Sequence, residues 1–283
     1  MVEHRHWTMR LLPHLVLGLG VLIVVFPVYL AFVGATLDPA TIANGQMGLV
    51  PGDLFFDNMS RVLVSGTGRS TREPVLHMLF NSFVMAMVIA AGKIVISILS
   101  AYAVVYFRFP LRRAAFWLIF VTLMLPVEVR IYPTYKIVAD LGMLDTFAGL
   151  CIPLIASATG TLLFRQFFMT IPDELVEASQ MDGAGPVRFF IDTVLPLSLT
   201  TMAALFVIQF IYGWNQYLWP LLITSKDSMQ TIVIGIKKMI VTQDALTEWQ
   251  LAMATAVLAM LPPVLVVIVM QKLFVRGLVE TEK

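Results

Sequence analysis

Six stretches of this sequence are apolar over lengths that match the hydrocarbon core of a lipid bilayer, and that sets the fold before any motif is considered. A core about 30 Å thick takes about 20 mostly apolar residues per crossing helix. The stretches are Leu12–Thr36, His77–Phe107, Phe116–Ile137, Phe147–Phe168, Val194–Thr224 and Leu251–Phe274. Composition agrees: 59% of residues are hydrophobic, 13% are charged, and mean hydropathy is +0.86, above the balance of a water-soluble domain. The expected fold class is therefore an all-α polytopic membrane protein with six transmembrane helices, forming one domain over residues 1–283.

The third and fourth stretches are interrupted. Pro126, Pro133 and Pro153 fall within them, and Glu128 and Arg130 lie inside or at the edge of the third. Prolines are tolerated in spanning helices where neighbouring helices or water satisfy the freed carbonyls, so these breaks point to backbone that faces protein or lines a cavity. Lys and Arg set the orientation. Arg5, Arg10, Arg108, Arg112, Arg113 and Arg165 share one side with the C-terminal Lys272, Arg276 and Lys283, which favours both termini in the cytoplasm by a narrow margin.

Between the fourth and fifth stretches lies a segment of different character, "ELVEASQMDGAGPVRFF" from Glu174 to Phe190. Thr170 can cap a first helix, Pro172 suits its opening turn, and Asp173 and Glu174 complement its positive end. Ile171, Leu175 and Ala178 fall on one face, with Glu174, Glu177 and Gln180 elsewhere. Gly183 and Gly185 permit backbone angles that other residues resist, and Pro186 can open a second helix carrying Phe189 and Phe190. The pattern is an amphipathic helix-turn-helix on the cytoplasmic side. An interfacial helix lying on headgroups is the plainer alternative, but such helices carry Lys and Arg on the polar face, whereas the first helix here is acidic. A protein partner fits better.

The spacing Glu177-Ala178-Ser179, then Asp182-Gly183-Ala184 and Leu195-Pro196, resembles the cytoplasmic EAA motif of ATP-binding-cassette importer permeases, with Ser179 and Thr193 as departures. "LLFRQFFMTIPDELVEA" and "FIYGWNQYLWPLLI" are similar to the carbohydrate-type branch of that family. The resemblance implies a type I importer permease in which residues of about 169–193 form a coupling loop, with Glu177, Ala178, Asp182, Gly183 and Ala184 contacting the ATPase. It also implies partners: a second homologous permease, two copies of an ATPase subunit and an external solute-binding protein. The cargo it implies is sn-glycerol 3-phosphate or a related glycerophosphodiester, with an uncharged sugar or polyol as the alternative. In "TLMLPVEVRIYPTYKI", related sugar permeases usually carry an uncharged residue where Arg130 stands. A secondary transporter would also show broken helices and buried charge, yet it gives no reason for the loop.

No cofactor is expected on this chain. The glycine required to open a phosphate loop before Gly92-Lys93 is replaced by Met87, so ATP and Mg belong to a partner ATPase. His4, His6, His14 and His77 have no metal-ligand spacing with one another or with Cys151, the single cysteine. A net charge of +1 gives no basic face for nucleic acid. Five residues are candidates for a substrate path. Lys93 interrupts the second stretch, where a charge needs a cavity or a partner helix. Glu128 and Arg130 can either reach a cavity or form a charge pair at the outer edge. Asn215 and Gln216 can offer polar contacts within a run whose Trp214, Tyr217 and Trp219 otherwise read as an interfacial belt and packing group.

Overall fold

The computed structural model describes residues 7–65, 73–122, 125, 127–240 and 247–280. In chain order the helices are α1 (Trp7–Ala35), α2 (Pro39–Ala43), α3 (Phe55–Ser65), α4 (Val75–Tyr106), α5 (Arg112–Val121), α6 (Val127–Asp140), α7 (Phe147–Cys151), α8 (Ala158–Phe168), α9 (Asp173–Met181), α10 (Pro186–Phe189), α11 (Leu195–Leu197), α12 (Leu199–Trp214), α13 (Leu218–Ile223), α14 (Ile232–Ile240) and α15 (Trp249–Glu280). There is no strand among the described residues, as the apolar pattern requires.

Three of these helices are long and apolar enough to cross a membrane alone, over Leu12–Ala35, Val75–Tyr106 and Trp249–Leu273. They fall on the first, second and sixth expected spans. The fourth appears as a pair, Phe147–Leu154 and Ala158–Phe168, bent by 47°. The expected third span falls on α5 and α6, and residues 123, 124 and 126 between them lie outside the described ones. The fifth needs correction. It does not run from Val194 through Thr224: the apolar pair is Pro186–Leu197 with Leu199–Trp214, bent by 70°, and α13 follows as a separate short helix. The bend falls at Ser198, and Pro196 marks the chain just before it. This proline has no N–H and its ring presses on the carbonyl one turn earlier, and there the chain widens into a π turn over Phe190–Val194.

The chain divides into two compact units. In the first, residues 1–77 and 235–261, α1 is apolar on every side, with Leu15, Leu17 and Val24 more than 60% exposed; such a helix suits lipid or a partner helix. Its C-terminal end is closed locally. Asn58 Nδ2 donates to the carbonyls of Ala35 and Leu37 at 2.9 and 3.1 Å, supplying partners to carbonyls a helix end leaves open, and Thr36 Oγ1 accepts from the Gly52 amide at 2.7 Å.

The second unit, residues 78–234 and 262–283, is organised around α4. Met85 and Ile89 join Val138, Leu150, Trp219 and Ile223 in one apolar cluster. Ile94, Ile98, Ala101 and Tyr102 join Phe164, Phe168, Phe189 and Leu205 in another. At 3.6 residues per turn Met85 and Ile94 lie on opposite faces of α4, so the helix is buried from two directions. Close approach to α12 comes from Gly213, where an added Cβ would stand 2.9 Å from Ala86 Cα. The turn before α7 is latched to the end of α13: Asp145 Oδ1 accepts from the amides of Ser225 and Lys226 at 2.6 and 2.9 Å.

Candidate functional site

Two features of the second unit carry the candidate residues: an exposed loop and a cavity lined by cations. In the loop, α9 begins with Asp173 and Glu174 in its first turn, where acids complement the helix dipole. Its end is a Schellman motif. The Ala184 amide donates to Ser179 O and the Gly183 amide to Gln180 O, each at 3.0 Å, with Gly183 at φ +72°. Pro186 then opens α10 at its first position, and Phe189 is buried against α4. The Tyr102 hydroxyl, near the end of α4, donates to Pro186 O at 2.7 Å and pins the loop there.

Three details of this loop differ from expectation. Thr170 does not cap α9: its hydroxyl donates to Phe167 O at 2.7 Å and closes α8, because Pro172 holds the residue before the helix in extended backbone. The packed face runs through Ile171 and Val176, while Leu175 is 40% exposed and Ala178 is exposed too. Ile171 precedes the helix, so within α9 itself Val176 marks the packed side. Gly185 has an ordinary φ of −73°; Gly183 alone of the two uses the left-handed region. Glu177, Asp182, Met181 and Val187 are exposed, and Ala184 is half-buried beside Tyr102 and Tyr106.

The cavity, about 150 Å³, adjoins the cluster that holds Trp219 and is lined by Lys93, Arg130, Thr134, Tyr212, Gln216 and Trp219 among others. Lys93 is 8% exposed. Its ammonium donates to Gln209 Oε1 at 3.0 Å and stands 3.7 Å from the centre of the Tyr212 ring, two contacts that offset the cost of placing a charge at this depth. Arg130 is exposed into the cavity mouth and has no ion pair among the described residues. Gln216 Nε2 donates to Tyr212 O at 3.2 Å.

Of the five path candidates, the structure brings Lys93, Arg130 and Gln216 together. Asn215 is exposed at the end of α12 and does not line this cavity. Glu128 belongs to α6, and its side chain lies outside the described residues. Trp214 and Trp219 are 3% and 4% exposed, and Trp219 Nε1 donates to Gly149 O at 3.1 Å, so both are packing residues and not an interfacial belt. Sequence reasoning missed Gln209, Tyr212 and Thr134. The signal was present: Gln209, Tyr212 and Gln216 recur at helical spacing in an otherwise apolar run.

Among the described residues no group of three or more His, Cys, Asp or Glu is placed to hold a metal ion. His4 and His6 lie outside the described residues, and His77 Nδ1 sits 2.9 Å from Glu73 Oε2. The arrangement offers two cations, a polar rim and an aromatic face to a small anion, and an exposed loop packed near the C-terminal end of the same helix.

Comparison with known proteins places these features. The family described as the binding-protein-dependent transport system inner membrane component matches residues 93–280. Over 283 residues, covering all of both chains, the sequence is 58% identical to the sn-glycerol-3-phosphate transport system permease protein UgpE of Rhizobium meliloti (strain 1021). It is 56% identical, again over both full lengths, to the UgpE of Escherichia coli O157:H7. A solved bacterial ABC transporter involved in import of the acidic polysaccharide alginate matches with a TM-score of 0.81 at 21% identity, covering 96% of this chain and 98% of that one; this likeness shows the fold. The matched family span starts at Lys93 itself and takes in the cavity and the exposed loop, and the chain belongs to the family of binding-protein-dependent transport system inner membrane components.

Proposed function

We propose that this chain is one permease subunit of an ATP-driven importer for sn-glycerol 3-phosphate or a related glycerophosphodiester. The observation that carries the cargo class is the cavity in which Lys93 and Arg130 face the same space, since two cations with unfilled donor capacity suit a phosphate monoester better than an uncharged sugar. The names of the full-length relatives support the same cargo.

The rest of the assembly follows from that role. A second, homologous permease completes the path, two ATPase subunits that use ATP and Mg sit on the cytoplasmic side, and a solute-binding protein delivers cargo outside. Both termini are cytoplasmic in this arrangement. The exposed loop seats in the ATPase through Glu177, Ala178, Asp182, Gly183 and Ala184. When ATP closes the ATPase pair, α9 and α10 move with it. The Tyr102–Pro186 hydrogen bond passes that movement to α4, which also carries Lys93, so one rigid helix links the loop to the cavity. Cargo meets Arg130 first at the cavity mouth and Lys93 deeper; Asn215, Gln216 and Glu128 tune the path's polarity. Only interactions that differ between the outward- and inward-facing states shift the equilibrium between them, and transient pairing with exposed Arg130 satisfies that without trapping the cargo.

The test is ATP hydrolysis by the assembled complex in proteoliposomes. Loaded binding protein with sn-glycerol 3-phosphate should stimulate it, and binding protein presented with glycerol should not. Equal stimulation by an uncharged polyol would replace the phosphate-ester reading.

A further inference from the structure

On α5 and α8, away from the Lys93 cavity, lies a second and larger cavity of about 470 Å³ whose charged lining is entirely cationic: Arg112, Arg113 and Arg165, with no acid among the described residues that line it. Two of the guanidiniums are held in place by uncharged groups. Arg165 stacks over the Phe116 ring at 4.3 Å, and Arg112 Nη1 donates to Phe107 O at 3.3 Å. None of the three has an ion-pair partner among the described residues, whereas Arg188 pairs with Asp192 at 3.2 Å. Three unneutralised guanidiniums around one space repel one another, which leaves the site short of an anion.

The surroundings say which anion. Trp117 lines the cavity, and from it α5 continues through Leu118 and Val121 as an exposed apolar face, 59%, 74% and 52% exposed. Charge at the first turn of a helix with an exposed Trp and aliphatic residues beyond it has the form of a headgroup site joined to an acyl-chain track. Arg165 stands in the last turn of α8, just before the loop, so the site belongs to the loop end of the unit. We propose that Arg112, Arg113 and Arg165 bind the phosphodiester headgroup of an anionic phospholipid, with its acyl chains along Trp117, Leu118 and Val121. A free phosphate shares the headgroup chemistry but has no use for the apolar track. Guanidinium forks match phosphate oxygens in pairs, and basic pockets between membrane helices take anionic headgroups for the same reason.

The experiment is native mass spectrometry of the full chain purified in detergent and titrated with phosphatidylglycerol, phosphatidylcholine or inorganic phosphate. Phosphatidylglycerol should be retained over phosphatidylcholine, and inorganic phosphate should not displace it. Arg112→Gln with Arg165→Gln should weaken that retention about tenfold or more, the loss of at least one charge-assisted hydrogen bond. Arg108→Gln, which removes a charge outside the cavity, should leave it unchanged. Arg112→Lys with Arg165→Lys keeps both charges without the planar fork and should retain phosphatidylglycerol at a level between the parental chain and the glutamine variant; undiminished retention in the glutamine variant would overturn the proposal. Equal retention of the two lipids by the parental chain, or displacement by inorganic phosphate, would overturn it as well. In the assembled complex a photo-crosslinker at position 117 should tag phospholipid, and tagging of a protein subunit in its place would contradict the lipid site.

Discussion

A lysine and an arginine with different surroundings divide the work of the cavity. Lys93 is buried and already paired with Gln209, so its substitution acts on stability as well as transport. Lys93→Met leaves Gln209 Oε1 without a donor, and a buried acceptor stranded in this way costs about 1–3 kcal/mol; a lowered unfolding temperature in detergent is the expected reading. Arg130 is exposed and has no ion pair among the described residues, so Arg130→Gln should leave assembly and basal ATP hydrolysis intact. Uptake of sn-glycerol 3-phosphate should fall about tenfold, the equivalent of one charge-assisted hydrogen bond. Arg130→Lys should keep part of the rate, having charge without the planar fork. Both variants transporting at the parental rate would remove Arg130 from the path. Lys93 and Arg130 were legible in the sequence because a charge inside an apolar run is conspicuous. Gln209 and Tyr212 left only the weaker signal of their helical spacing with Gln216, which packing explains as readily, and α4's placement against α12 shows that they surround Lys93.

Elements, more than single side chains, decide whether force reaches the cavity. Gly183 sits at φ +72° with open space where a Cβ would go, so Gly183→Val meets backbone strain alone, about 1–2 kcal/mol. The expected result is a complex that loses ATPase co-purification or uptake while the membrane helices remain folded; normal assembly with normal uptake would contradict the loop's role. Gly213→Val is the opposite case. Its Cβ would press on Ala86 Cα, a backbone atom that yields only if α12 moves from α4, and overpacking of this kind costs about 1–3 kcal/mol. Thermal unfolding in detergent should show it directly. The turn at Gly183 and the start of α10 at Pro186 were readable from the sequence, since few residues tolerate either position. Which face of α9 packs was not readable, because that depends on where α4 delivers Tyr102 and Tyr106, contacts distant in sequence. The bend after Leu197 was missed for a related reason: the apolar run continues through it, and a π turn leaves no mark in the hydropathy.

For the whole molecule, apolar length located the three unbroken spans to within a few residues, because a bilayer's thickness sets it. The broken spans were harder, since proline and short helices make a bent pair resemble one continuous run. What length and composition do not supply is a driving force. No phosphate loop is present in the sequence, so the account requires energy from an attached ATPase, relayed through the loop and α4. The most direct measurement of that claim is uptake of labelled sn-glycerol 3-phosphate into proteoliposomes holding the complete complex and its binding protein, with ATP sealed inside, with ATP omitted, or with only an ion gradient imposed. The account predicts accumulation only with ATP and binding protein together, and its loss in a complex carrying Gly183→Val; accumulation driven by the ion gradient alone would contradict it.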